Sequence, residues 1–283
     1  MGNCCARSPK LPTSLQSARP HSKHSPPHPE PSLTINDFQI IALLGEGGFG
    51  RVFKVSPFPC THTQVRMKES GALYALKTVR KKDTNNALEY SSALAERDAL
   101  ARFDSPFLPK YFSLSTPDYY GGGSLAERLQ SSSFPEATAR FYAAELVLCL
   151  EYLHEHGWVY RDLKPSNVML DVEGHAHLVD FGLCKRVEKR MRRWSTGGSV
   201  EYLSPEVFES GKYDASVDWW SLGTLIYEMI SGLPPFYDKN RRVMYNKILS
   251  APLSRCPYMS PEISLCCAWR LLHGTRSTCA VVC

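Results

Sequence analysis

Tyr160-Arg-Asp-Leu-Lys-Pro-Ser-Asn167 (YRDLKPSN) is followed, 13 residues after its asparagine, by Asp180-Phe-Gly182 (DFG). Between and around these segments the chain reads as short strands and turns. An acid, an ammonium, an amide and a second acid therefore recur at close spacing: Asp162, Lys164, Asn167 and Asp180. Each fragment alone is within reach of chance. Their fixed order alongside two upstream features is far more specific.

The first upstream feature is the run Leu44, Gly45, Glu46, Gly47, Gly48, Phe49, Gly50, Arg51 and Val52. Its glycines fall between two strand-like stretches in FQIIALLGEGGFGRVFKV. A dinucleotide-binding turn leads from a strand into a helix, so this arrangement argues against one. Glycines in a hairpin let backbone N–H groups come close to phosphates. The second feature is Ala75-Leu-Lys77 on the next apolar strand, ALYALKTV. Glu96 follows on NALEYSSALAERDALARF, which has helical periodicity. A Lys77–Glu96 pair across strand and helix would hold the ammonium over a nucleotide's phosphates.

Taken jointly, these motifs resemble the eukaryotic protein kinases, from about Phe38 to Pro261. The resemblance implies an α+β, two-lobed fold, with a small strand-rich lobe before a larger helical lobe. It implies ATP and Mg2+ as cofactors and proteins as substrates. Asp162 resembles the base that accepts the substrate hydroxyl's proton, and Lys164 would lie beside the transferred phosphoryl group, as in serine/threonine kinases. Asn167 and Asp180 would hold two magnesium ions, and Lys77, paired with Glu96, would grip the α- and β-phosphates. YRD in place of HRD, DFGLCK, and the segment leading to Ser204-Pro-Glu206 are similar to the AGC kinases, relatives of protein kinases A, B and C. Eleven residues before Glu206 stands Ser195, in the place of the activation-loop phosphosite. An upstream activating kinase would act there, and the phosphate would pair with Arg161 and Lys185. Ser199 matches the hydroxyl residue that contacts the catalytic aspartate.

The chain departs from the family pattern in several places. Ser124 and Ser166 stand where acids recognise basic substrates, although Glu228 remains. Ser92 replaces a residue that is often basic. After Ser260-Pro-Glu the sequence ISLCCAWRLLHGTRSTCAVVC does not match the expected last helices; Arg276 is a possible substitute partner for Glu206 there, and without a partner Glu206 would be a poorly compensated buried charge. Between Pro106 and Gly122 the chain is roughly eight residues short of the pattern. No apolar strand precedes Tyr119 and Tyr120, the candidates for the hinge that hydrogen-bonds adenine. One small-lobe strand and the last helices of the large lobe are therefore expected to be missing, as in a truncated or alternatively spliced form. Two readings follow: an active kinase, or a catalytically impaired, membrane-tethered binding module.

The remaining features bound the setting. The 283 residues suffice for two lobes with a real core. Hydrophobic content of 43% and charged content of 22% are ordinary for a globular chain. A net charge of +5 is too mild to argue for nucleic-acid binding. Ten cysteines show no CxxC spacing, so free thiols in a reducing, cytoplasmic compartment are expected. Residues 1–34 are a Pro/Ser/His-rich basic tail, read as disordered. Met1-Gly2-Asn-Cys4-Cys5 suggests myristoylation of Gly2 and palmitoylation of Cys4 and Cys5, although Ala6 replaces the usual Ser or Thr. Two lipid signals and a basic tail would hold the protein at a membrane. The lobes are placed at 35–120 and 121–262, with a divergent Cys-rich end at 263–283. A monomer is expected.

Overall fold

A three-stranded antiparallel sheet forms the first part of the fold, in the order β1 (Phe38–Glu46), β2 (Thr61–Met67), β3 (Leu73–Thr78). The structure is a computed structural model and describes residues 35–46, 61–78, 97, 100–109, 120–187, 191–192, 199–209, 212–264 and 267. β2, THTQVRM, is polar at most positions yet pairs as a strand. Its β-branched residues suit a pleated strand. Val65 is fully buried, and the strand is central, paired to β1 through Val65–Ile40 and to β3 through Val65–Tyr74. Backbone pairing on both edges outweighs side-chain polarity here. Phe38 and Tyr74 meet edge-to-face with ring centroids 5.9 Å apart.

The second part is helical, as expected. α1 (Leu125–Ser131) begins at Ser124, whose hydroxyl accepts from Glu127 N while the Glu127 carboxylate accepts from Ser124 N. This reciprocal capping box satisfies two otherwise orphaned donors. α2 (Glu136–Glu155) buries Ala139, Ala143, Leu146, Leu150 and Leu153, spaced three and four apart, so one stripe faces the core. It stops at Gly157, whose φ of 76° suits glycine at a helix end.

Short pairings then build the floor of the site. β4 (Trp158–Val159) pairs with β7 (Lys185–Arg186). β5 (Val168–Leu170) and β6 (Ala176–Leu178) form a hairpin, and β8 (Met191–Arg192) pairs with β9 (Lys212–Tyr213). α3 (Pro205–Glu209) lies between β8 and β9 in sequence.

α4 (Ser216–Ser231) is buried at twelve of its sixteen positions, which marks it as a core helix. α5 (Arg241–Ser250) packs Met244 and Ile248 with Trp220 and Phe236. One apolar cluster joins α2, the β5–β6 hairpin and α4, and continues through Cys256, Met259, Ile263 and Cys267. The first residues of the divergent end therefore belong to the core. Among the described residues, no helix is long and apolar enough to cross a membrane. Residues 111–119, where a strand is expected to be missing, lie outside the described residues, as do most of the end after Ser264.

Candidate active site

Asp218 organises the loop that carries the chemistry. It is fully buried at the start of α4. Its Oδ2 accepts from Tyr160 N at 2.8 Å and its Oδ1 from Arg161 N at 2.7 Å. His154 Nε2, from the last turn of α2, lies 2.8 Å from Oδ2. A carboxylate bonded by three groups from two segments fixes the backbone where it most needs fixing. Arg161 has a φ of 71° and Asp180 a φ of 59°, both rare for residues with a Cβ. Such conformations cost of order 1–3 kcal/mol each and persist only where surrounding contacts over-determine them.

The loop delivers Asp162, Lys164 and Asn167 into one cluster. Lys164 Nζ donates to Asp162 Oδ2 at 2.7 Å. Asn167 Nδ2 donates to Asp162 O and to Asp162 Oδ2, each at 2.8 Å. Asp162 is largely buried, and that burial raises its pKa; Lys164 pulls it back down, and the charge of Asp180 adds to the rise. A carboxylate made more basic yet kept partnered suits a proton acceptor.

The β5–β6 hairpin places the second pair of oxygens. Val179 N donates to Asn167 O at 3.0 Å, tying the two ends of the hairpin together just before Asp180. With both Asn167 amide protons committed to Asp162, its side-chain oxygen is the acceptor left over. The Asp180 carboxylate is exposed. A carbonyl oxygen and a carboxylate are hard donors of the kind Mg2+ takes, so the residues present fit the metal. Phe181, between Asp180 and Gly182, is fully buried against Tyr160 and Phe103. Tyr160 in turn donates its hydroxyl to Val179 O, and burial holds its pKa well above the ordinary value.

Arg161 bonds to neutral groups: its Nε donates to Leu183 O and its Nη1 to Tyr213 Oη, both at 2.6 Å. Tyr213, on β9, thus joins the loop to the strand that pairs with β8. Its role has no motif to announce it. Lys185 lies half-buried on β7, opposite Val159. Ser199 starts a short 3-10 turn in which its carbonyl accepts from Tyr202 N. Glu206 differs from the expected buried charge: it is half-buried and accepts from Ser216 Oγ at 3.3 Å. Glu228 accepts the Tyr202 hydroxyl, and burial, against that bond, raises its pKa to about 7.

Several predicted positions are only partly described. Leu44, Gly45 and Glu46 lie on β1, and Ala75 and Lys77 on β3, where Lys77 pairs with His62; only their backbone is described. Gly47, Gly48, Phe49, Gly50, Arg51, Val52, Ser92, Glu96, Ser195, Arg276, Gly2, Cys4 and Cys5 lie outside the described residues.

The protein kinase domain family matches residues 38–264. This chain belongs to that family. The AGC-type resemblance carried by its motifs holds, and with it the two-lobed fold. Among similar proteins, the serine/threonine protein kinase ypkA of Aspergillus fumigatus is 44% identical over 233 residues, 79% of this chain and 35% of that protein. The serine/threonine-protein kinase gad8 of Schizosaccharomyces pombe is 43% identical over 237 residues, 80% of this chain and 40% of that protein. A RAC family serine/threonine-protein kinase homolog of Dictyostelium discoideum is 41% identical over 239 residues, 81% of this chain and 52% of that protein. This kinase chain therefore spans about a third to a half of the length of such relatives.

Proposed function

We propose that the chain is a serine/threonine protein kinase that transfers the γ-phosphoryl group of ATP to protein hydroxyls. The observation that carries this reading is the Asp162 carboxylate, held at once by Lys164 and Asn167 beside the hairpin that ends in Asp180. Asp162 accepts the proton of the attacking hydroxyl. Lys164, already positioned on Asp162, meets the charge of the phosphoryl group in transfer. Asn167 and Asp180 would hold the metal, which would neutralise charge on the phosphates. The rest of the acceleration comes from fixed geometry, which the Asp218 bonds to Tyr160 and Arg161 supply.

The purified chain, incubated with MgATP and a generic basic protein, is expected to incorporate phosphate on serine or threonine. Asp162→Asn should lower that rate by about 10²- to 10⁴-fold with unchanged MgATP binding. Incorporation at the same rate in the Asp162→Asn chain would overturn the assignment of the base. A second reading, an impaired kinase-like module, is favoured by the short interval between Pro106 and Gly122. MgATP binding without phosphate incorporation by the unaltered chain selects it.

The setting belongs to the same proposal. Gly2, Cys4 and Cys5 would carry lipids, and the basic tail would add attraction to an anionic membrane, placing the kinase on a cytoplasmic membrane face. Gly2→Ala should shift the protein from the membrane to the soluble fraction of fractionated cells; an unchanged distribution refutes the anchor. An upstream kinase acting at Ser195 and a monomeric state complete this reading.

A further inference from the structure

His177 is a residue that the motifs do not account for. It lies on β6 directly opposite Met169 of β5. Its ring stacks on Tyr120, with centroids 4.3 Å apart and planes 19° from parallel. Its Nε2 lies 2.9 Å from Asp171 Oδ2. A carboxylate only accepts, so Nε2 carries a proton and donates to Asp171. Nδ1 is buried and has no partner. Hydrogen bonding alone therefore gives a poor account of a histidine here, because one of its two nitrogens is left at a cost. The flat ring under Tyr120 gives a better one.

The stack joins two segments with different duties. Tyr120 is buried immediately before Gly121-Gly-Gly123, in the segment that the kinase resemblance assigns to adenine. That turn is clamped to the hairpin by Gly122 N donating to Leu170 O at 2.9 Å and Leu170 N donating to Gly123 O at 2.8 Å. A Cβ at Gly122 would stand 2.4 Å from Asp171 O, so the approach is as close as the backbone permits. The direct pairing of Met169 with His177 puts these two on one face of the hairpin, while Asn167 immediately precedes β5 and Asp171 immediately follows it. Asn167 and Asp180 extend from the same hairpin that His177 and the glycine clamp hold against Tyr120.

We propose that His177 is a positioning residue for the nucleotide: its ring, fixed by Asp171, holds Tyr120 and the adenine-side segment at a set height above the hairpin that carries Asn167 and Asp180. This rests on the kinase reading. His177 touches no reacting atom; it sets the distance between the part of the site that takes the base and the part that takes the metal and phosphates.

The test compares His177→Ala, His177→Phe and Tyr120→Ala in the full chain. Calorimetric titration with MgATP should show His177→Ala binding about 3- to 10-fold more weakly, the range an aromatic pair supplies. KM for ATP should rise by the same factor while kcat changes less than about twofold. His177→Phe, which keeps the ring and loses the Asp171 bond, should restore most of the affinity. Tyr120→Ala should match His177→Ala, and the double variant should be no weaker than either. Without nucleotide, amide hydrogen exchange at Gly122 and Leu170 should quicken in His177→Ala and return toward normal in His177→Phe.

Unchanged affinity and unchanged exchange in His177→Ala overturn the proposal, as does a Phe variant as weak as the Ala variant. If His177→Ala does not fold, His177→Gln makes the same comparison, since it keeps a donor for Asp171 and has no ring. Weakened binding upholds the proposal, and unchanged binding overturns it. A parent chain that binds no MgATP overturns the kinase reading and the nucleotide role together. A parent chain that binds it as well as His177→Ala does overturns the role of His177 alone.

Discussion

Asp162 and Glu228 show how the same physical force serves different ends. Both are carboxylates whose burial raises the pKa. Asp162 has Lys164 to oppose the rise and stays partnered. Glu228 has only the Tyr202 hydroxyl to lower its pKa, with Glu201 raising it further, and it reaches about 7 from an ordinary 4.5. Between those values the native chain holds a proton that the unfolded chain has released. The Glu228 contribution to stability therefore falls as pH rises from 4.5 toward 7, then levels off. The change amounts to something on the order of 3 kcal/mol. Glu228→Gln keeps an acceptor for Tyr202 and should flatten this part of the profile. Urea unfolding at pH 5 and pH 8 measures it, and an equal loss of stability in both proteins would refute the assignment. The sequence showed Glu228 only as a residual acid at a family position. Its burial and its tyrosine partner come from α4 packing against the turn at Val200–Tyr202, which no local pattern encodes.

At the scale of elements, legibility followed periodicity. In α2 and α4 apolar residues repeat at helical spacing and each helix is followed by a glycine, so the sequence itself carries their signal. β2 shows no such repeat: it is polar at most positions, although Val65 on it is fully buried. Ser124, which stands where relatives carry a substrate-recognising acid, also has a local duty: Ser124-Leu-Ala-Glu127 is a capping-box sequence and forms one. Ser124→Ala should cost about 0.5–2 kcal/mol in thermal or denaturant unfolding, since it removes the acceptor for Glu127 N. No measurable loss would show that solvent replaces the cap. His177 stayed hidden for a different reason: a lone histidine in a strand carries no signal until the fold brings Tyr120 against it.

For the whole molecule, the catalytic motifs were legible because the chemistry fixes residue type and order. What binds them together was not. Asp218 is 64 residues from His154, 58 from Tyr160 and 57 from Arg161, and one hydrogen bond joins it to each. Asp218→Ala would leave the buried Tyr160 amide and the part-buried Arg161 amide without acceptors and should destabilise the protein by about 3–5 kcal/mol, lowering the urea midpoint with an unchanged slope. A loss below ~1 kcal/mol would mean the catalytic loop holds itself. The divergent end shows the reverse case. Its composition suggested an unrelated terminus, but Ile263 and Cys267 complete the apolar cluster begun by α2 and α4.

The burial of four sulfur atoms gives this kinase its own set of internal reporters. Cys149, Cys184, Cys256 and Cys267 are all reduced and all buried, and burial pushes the Cys149 thiol up, away from the reactive thiolate. An alkylating reagent can reach them only when the chain around them opens. Cys184 lies just beyond Gly182, Cys149 lies on α2, and Cys267 lies at the divergent end. Their alkylation rates, read peptide by peptide, would rank the opening of these three regions in the unmodified protein. A ligand that closes the catalytic cleft should slow Cys184 first.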